Sequence, residues 1–399
     1  MYLCAVKCEK PLFRIAFLAL TLLFVSGLEC RAHKEPSPEA KARIDSTLSV
    51  SFITCGPGAE AYSLYGHTAL HFIDRANGTD VAVNWGIFDF NKPNFVGRFV
   101  FGLTDYLMGI YPFEAFLREY EAEGRWVKEQ QLNLTPEEKL SIAEAIWENY
   151  RPENREYRYN YFYDNCTTRA RDMIADHLSG KLNYQQSANE GLSFRDLVHQ
   201  YCRQHPWARF GNDMLLGLQA DRPTTTRERQ FLPCETMNDF DRAVVDGNRR
   251  LVTGTTTLVD IPENPEEGSF PLSPRACGLL LLGIVVVLTI WEFIARKDFR
   301  WFDALLMLLC GLSGIVLFAM LFSQHPTVRL NLQLLLLNPL PLFFIWPMLK
   351  GKCRWQYTMW IILICCFIVG SFWQTYAEGM MTVAYSLFIR NTKRLKSEK

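Results

Sequence analysis

The sequence predicts an exported α+β domain followed by an α-helical transmembrane domain of about five spans. Three observations carry this: a secretory leader over residues 1–32, strand alternation and helix caps from Leu48 onward, and long apolar runs that replace the charged residues after Pro274. The chain has 399 residues with 42 acidic and 42 basic side chains. A neutral total argues against nucleic-acid binding, which requires a basic excess.

The leader places Lys7, Lys10 and Arg14 before the apolar run Ile15–Val25 and ends on Cys30-Arg31-Ala32, with cleavage expected after Ala32. Glu29 spoils a lipoprotein-type site at Cys30. The alternative is an uncleaved anchor, and either way residues 33–274 are exported. Leu48–Thr54 reads as a strand ending in the turn Cys55-Gly56-Pro57-Gly58. After Gly66 a second strand puts His67, Ala69, His71 and Ile73 on one face. Asn77-Gly78 is a hairpin turn into Val81–Trp85, and that pairing could bring Asn84 close to His67.

Asn94–Tyr111 is rich in Phe and Gly and carries no period that assigns it. Phe113–Glu123 reads as an amphipathic helix and Arg125–Leu134 as a strand. Thr135-Pro136-Glu137-Glu138 is a capping box whose helix should run to about Tyr150, with Leu140, Ala143, Ile146, Trp147 and Tyr150 inward. Ser193 caps another helix with Leu197, Val198 and Tyr201 inward. Residues 262–274, rich in proline and glutamate, read as the linker.

The chemistry centres on Arg158–Arg169. An aromatic extended run ends at Asn165, and Ala170, Met173, Ile174 and Leu178 then repeat with a helical period, so Cys166 falls at a helix start. The helix dipole and unpaired N–H groups there favour a thiolate. His67, roughly a hundred residues upstream, is the candidate base. Either residue alone is more often structural; their pairing in an exported setting is what gives weight. Cys55 is the rival nucleophile, but no helix start follows it. His67 and His71 lie about 13 Å apart on a strand, too far to share one ion, so no metal is expected. Of the exported cysteines, Cys202 with Cys234 is the disulfide to test first.

Spans fit at 276–295, 302–322, 328–349, 355–373 and, more weakly, 375–390. Basic residues follow the first, third and fifth, which places the N-terminal domain outside the membrane. The third is unusually polar. His325, Asn331 and Asn338 are candidate substrate-binding residues there, or they serve helix packing.

Pro57-Gly58, Tyr65-Gly66-His67-Thr68-Ala69-Leu70 and Asn165-Cys166 before a helix resemble the circularly permuted papain-like fold of lecithin:retinol acyltransferase and NlpC-type thiol enzymes. A longer resemblance takes in Asn84-Trp85-Gly86-Ile87-Phe88-Asp89-Phe90, Tyr-Asp-Asn-Cys-Thr-Thr-Arg and the C-terminal spans with His325-Pro326 and Asn331. It is similar to the Lnb family of lipoprotein N-acyltransferases. That resemblance implies a bacterial inner-membrane enzyme with a periplasmic catalytic domain and no cofactor. Its donor would be a membrane phospholipid, and its acceptor the α-amino group of a lipoprotein's diacylglyceryl cysteine. Cys166 would be the nucleophile, His67 the base, Asn84 its orienter, and the Cys166 N–H with Asn165 the oxyanion donors. His71 stands where such relatives more often carry arginine and is given no role. The competing readings are a cell-wall cysteine amidase or peptidase, a phospholipid hydrolase, and a non-catalytic docking protein.

Overall fold

A computed structural model describes residues 37–60, 62–88, 93–262, 270–351 and 354–397. The leader, most of the linker, and Asp89-Phe90 lie outside the described residues. The N-terminal part is a sheet-rich α/β fold and the C-terminal part is helical. Ser37 caps α1 (Pro38–Thr47), which feeds β1 (Leu48–Cys55), β2 (His67–Asp74) and β3 (Thr79–Ile87). Then come α2 (Phe95–Val100), β4 (Asp105–Pro112), α3 (Phe113–Ala122) and β5 (Val127–Leu132). They are followed by α4 (Pro136–Tyr150), β6 (Glu156–Arg158), α5 (Cys166–Ala175), α6 (Phe194–Tyr201), α7 (Pro206–Leu215), α8 (Pro233–Arg242) and β7 (Val252–Val259).

These seven strands form an antiparallel sheet in the order β7-β5-β1-β2-β3-β4-β6, beside a small three-stranded sheet of Leu182–Asn183, Val244–Val245 and Arg249–Arg250. Alternation decides the two faces of the larger sheet. Phe52, Leu70, Phe72, Val83 and Trp85 pack with Ile142 and Ile146 of α4, Ala170 and Ile174 of α5 and Phe240 of α8. Ile53, Cys55, Ala69 and Ala82 pack against Phe113, Phe116 and Tyr120 of α3. The capping box at Thr135 starts α4 as expected. Its inward face differs: Ile142 and Ile146 are fully buried while Trp147 is exposed, packing edge-on against Phe72.

Among the described residues the C-terminal part has five helices of nine residues or more: α9 (Pro274–Ala295), α10 (Arg300–Met320), α11 (Pro341–Leu349), α12 (Arg354–Gly370) and α13 (Met380–Ser397). Of these, α9 and α10 are long and apolar enough to cross a bilayer, and α12 is a shorter apolar helix. The third expected span is not one helix. Residues 326–340 form two short turns and irregular backbone, and only α11, nine residues or about 14 Å long, is continuous. Irregular backbone at such depth is tolerated only against protein, and α10 makes room for it. A Cβ at Gly314 would lie 2.3 Å from the Asn338 carbonyl carbon, and one at Gly311 would lie 2.4 Å from Leu342. Gly314→Leu is therefore expected to prevent this packing and lower the thermal midpoint in detergent by several degrees, with Gly283→Leu, at a position with nothing near its would-be Cβ, as the tolerated control.

At the end of the bundle remote from the sheet, two of the C-terminal basic residues, Arg390 and Arg394, are buried. Arg390 pairs with Glu292 at 2.5 Å and Asp303 at 2.6 Å, and Arg394 pairs with Asp303 and Asp298. These ion pairs tie α13 to α9 and α10.

Candidate active site

The sheet has a chemical end. There β1 finishes at Cys55, β2 begins at His67, β3 finishes at Ile87 and β4 begins at Asp105. Antiparallel register sets Cys55 opposite His67 and Ala69 opposite Asn84. Beyond Ala69 no further β2–β3 pairs form, and β3 bends through Gly86, where φ is +95° and a register shift separates Trp85 from Ile87. A Cβ on Gly86 would stand 3.7 Å from Cβ of Cys166. The start of α5 thus packs directly against the bend, whose left-handed backbone favours glycine.

Each residue of Asp164–Arg169 has a local task. The expected extended run through Tyr159–Asp164 is a turn instead: Asn160 Oδ1 accepts from the N–H groups of Phe162 and Tyr163, and Asn160 bridges Asp164. Asp164 accepts both ends of the Arg169 fork at 2.6 and 2.8 Å, and that guanidinium lies over Tyr157. Asn165 caps the helix: Oδ1 accepts from Thr167 and Thr168 N–H, both at 2.9 Å, while Thr168 Oγ1 accepts from Asn165 N–H at 2.8 Å. The Asn165 amide also donates to Tyr161 O and Phe231 O. No N–H of Asn165 is left for an oxyanion, which corrects the expectation for that residue. Thr167 Oγ1 meets Thr68 Oγ1 at 3.0 Å, pinning the helix start to the histidine strand.

His67 Nε2 donates to Asn84 Oδ1 at 2.8 Å, leaving Nδ1 for the sulfur. The ring stacks at 6.3 Å on Tyr120, which in turn lies under the Arg125 guanidinium. Burial raises the Cys166 thiol, but the His67 charge and hydrogen bond, the Thr68 N–H and the Thr167 hydroxyl outweigh it and bring it down to about 7. Burial alone would lower His67; the Cys166 thiolate and the bonds to Cys166 and Asn84 raise it instead. Cys55 behaves in the opposite way, its buried thiol pushed far up and kept protonated despite Arg125. Cys202 is a separate thiol against Tyr65 and Asn212, and neither it nor Cys234 is in a disulfide.

The family model for the Lnb N-terminal periplasmic domain matches residues 37–201, and that for the Lnb transmembrane domain matches 265–398. The chain belongs to the Lnb family. No match was found among curated proteins or solved structures. Membership gives the chain a periplasmic domain and a transmembrane domain and points to a lipoprotein-related enzyme of the membrane.

In this Lnb chain the polar residues of the third span do not converge on Cys166. Asn331 Nδ2 donates to Met214 O at 2.8 Å, Gln333 Nε2 to Asp213 O at 2.8 Å, and Gln374 Nε2 to Leu216 O at 3.2 Å. They hold the two domains together where Arg195 pairs with Asp213 and Asp221. Asn338 bonds locally to Leu335 O and Leu340 N–H. Asn331 is thus engaged at the contact between the domains and Asn338 within its own turn. His325 sits against Gly102, which joins the membrane domain to the chemical end of the sheet.

Sequence reasoning missed Thr68, Thr167, Gly86, Tyr120 and the Asp164–Arg169 pair. Of these only the last leaves a sequence trace, an acid five residues before a base across a helix start. His71, given no role, bridges Glu129 at 2.7 Å and Asp80 at 2.9 Å and stacks on Phe113. That is a structural tie between strands. Asn165→Ala is expected to cost about 1–2 kcal/mol from the lost cap alone, measured by chemical unfolding of the full chain in detergent, and to slow alkylation of Cys166 as the helix start loosens.

Proposed function

We propose that the chain is a cysteine-dependent lipoprotein N-acyltransferase. The observation that carries this is the Cys166–His67–Asn84 cluster at the sheet end that abuts the membrane domain. His67 takes the thiol proton, and the Cys166 thiolate attacks the ester carbonyl of a phospholipid. The backbone N–H of Cys166, first residue of α5 and without an intrahelical acceptor, stabilises the oxyanion. The carbon–oxygen bond then breaks and His67 returns its proton to the departing lysophospholipid, leaving a thioester on Cys166. The lipoprotein's α-amino group attacks that thioester, His67 accepts the amine proton, an amide forms and the thiolate is regenerated. Asn84 holds the imidazole so that one nitrogen always faces sulfur.

Both substrates are anchored in the bilayer. Extracting an acyl chain into water costs about 0.8 kcal/mol for each CH₂ exposed. A site held against the membrane domain avoids that cost, which favours lipid substrates over a cell-wall peptide. The test supplies the purified full chain, in phospholipid vesicles, with a diacylglyceryl-cysteine peptide. N-acylated peptide is the expected product by mass spectrometry. Release of free fatty acid with an unchanged peptide would identify a phospholipid hydrolase instead.

A further inference from the structure

The connection between β3 and β4 leaves the sheet at the chemical end and carries α2. Just beyond and within it, Phe101 and Phe99 are 38 % and 46 % exposed. The segment is joined to the membrane domain: Gln324 N–H donates to Phe101 O at 3.0 Å, and Gly102 packs on His325. Those partners follow directly on α10, where Phe318 in its last turn and Phe322 just past its end are exposed. The aromatic surface of the periplasmic domain thus continues the lipid-facing surface of a span. Behind it runs a polar collar, Arg98 and Arg158 on Asp105 at 2.7 and 2.6 Å, with Arg158 also reaching Gln324. Aromatic residues flanked by cations are the composition of a membrane interface.

The same connection leads inward to the thiol. Tyr159 N–H donates to Thr104 O, and Tyr159 stacks on Tyr106 at 4.1 Å. Tyr106 stacks on Phe88 at 4.9 Å, two residues beyond the Gly86 that faces Cys166. The Tyr159, Tyr106 and Phe88 rings form a stacked apolar wall that ends beside the Gly86 bend.

We infer that α2 and Phe101 form a wedge immersed in the outer leaflet, a lipid surface, along which the donor's acyl chain reaches Cys166. This rests on the acyl-transfer reading for the chain's destination, whereas immersion of the wedge is tested without any chemistry. Photoreactive p-benzoylphenylalanine is placed singly at positions 99, 101, 322 and 147 of the full chain in vesicles of phosphatidylethanolamine and phosphatidylglycerol with deuterated chains. Lipid adducts are expected at 99 and 101 within about three-fold of the yield at 322, and at least ten-fold above that at 147. Adducts at 322 with none at 99 and 101, or equal yields at all four, would overturn the wedge. For delivery, Phe99→Asp with Phe101→Asp should lower the ratio of thioester formed from long-chain vesicle phospholipid to that from soluble dihexanoyl phospholipid about ten-fold. An unchanged ratio overturns delivery along the wedge. Failure of acyl transfer itself shows separately, as no thioester from either donor in the unsubstituted chain.

Discussion

Cys166→Ser is expected to abolish thioester formation, lowering it by at least about 10³-fold. A serine hydroxyl at the same helix start stays protonated near neutral pH and carries no sulfur, so any label it takes is a slowly formed oxyester that neutral hydroxylamine does not release as a thioester. The measurement is transfer of radiolabel from an acyl-labelled phospholipid to the purified chain, with release by neutral hydroxylamine identifying the thioester. Cys55→Ala is the informative companion. Cys55 lies opposite His67 in the register but is fully buried, and its thiol is held protonated by that burial. Thioester label should persist in Cys55→Ala and vanish in Cys166→Ser; the reverse pattern would transfer the nucleophile to Cys55.

His67→Gln should cost about 10²–10⁴ in the rate of acyl transfer and should also change how Cys166 titrates. In the native chain the thiolate is present above about pH 7 and is lost as pH falls through that value. Alkylation of Cys166 by iodoacetamide, followed on its peptide by mass spectrometry, should therefore rise through an inflection near pH 7. Removing the imidazole leaves burial unopposed by its largest counterweight, so in His67→Gln the inflection moves up, to or beyond the ordinary thiol range. A profile that stays in place would show that the helix start, not His67, sets the thiolate. Asn84→Ala tests the orienter by the same profile: a smaller upward move is expected, because the imidazole is retained but freed to turn.

The legible parts of the site were those encoded within a few residues. Asn165 and Thr168 cap α5 through each other's backbone, so the position of Cys166 at a helix start follows from a short segment. Asn84 was within reach because a hairpin at Asn77-Gly78 makes register a matter of counting. The oxyanion role expected of Asn165 fails for a partly non-local reason: its side-chain N–H groups go to Tyr161 O and to Phe231 O, the latter 66 residues away.

Other elements leave no local trace. β7, Val-Thr-Gly-Thr-Thr-Thr-Leu-Val, is an edge strand exposed along most of its length, so it has no apolar alternation to read. β4 has both faces partly covered and reads as irregular. The third span has enough apolar residues to suggest one helix. Its polar groups are satisfied by Met214 and Asp213, more than a hundred positions away, and that pairing is what permits the break.

The sequence by itself determined an exported α+β domain, a membrane anchor and a thiol at the mouth of a helix, because capping, strand alternation and hydropathy act over a few residues. Only the tertiary structure decided that Thr68 and Thr167 lock that helix to the histidine strand, that the Gly86 bend packs beside Cys166, and that the site end of the sheet meets α10. Those contacts join segments far apart in the chain, and their energy depends on distance in space, to which local patterning is blind.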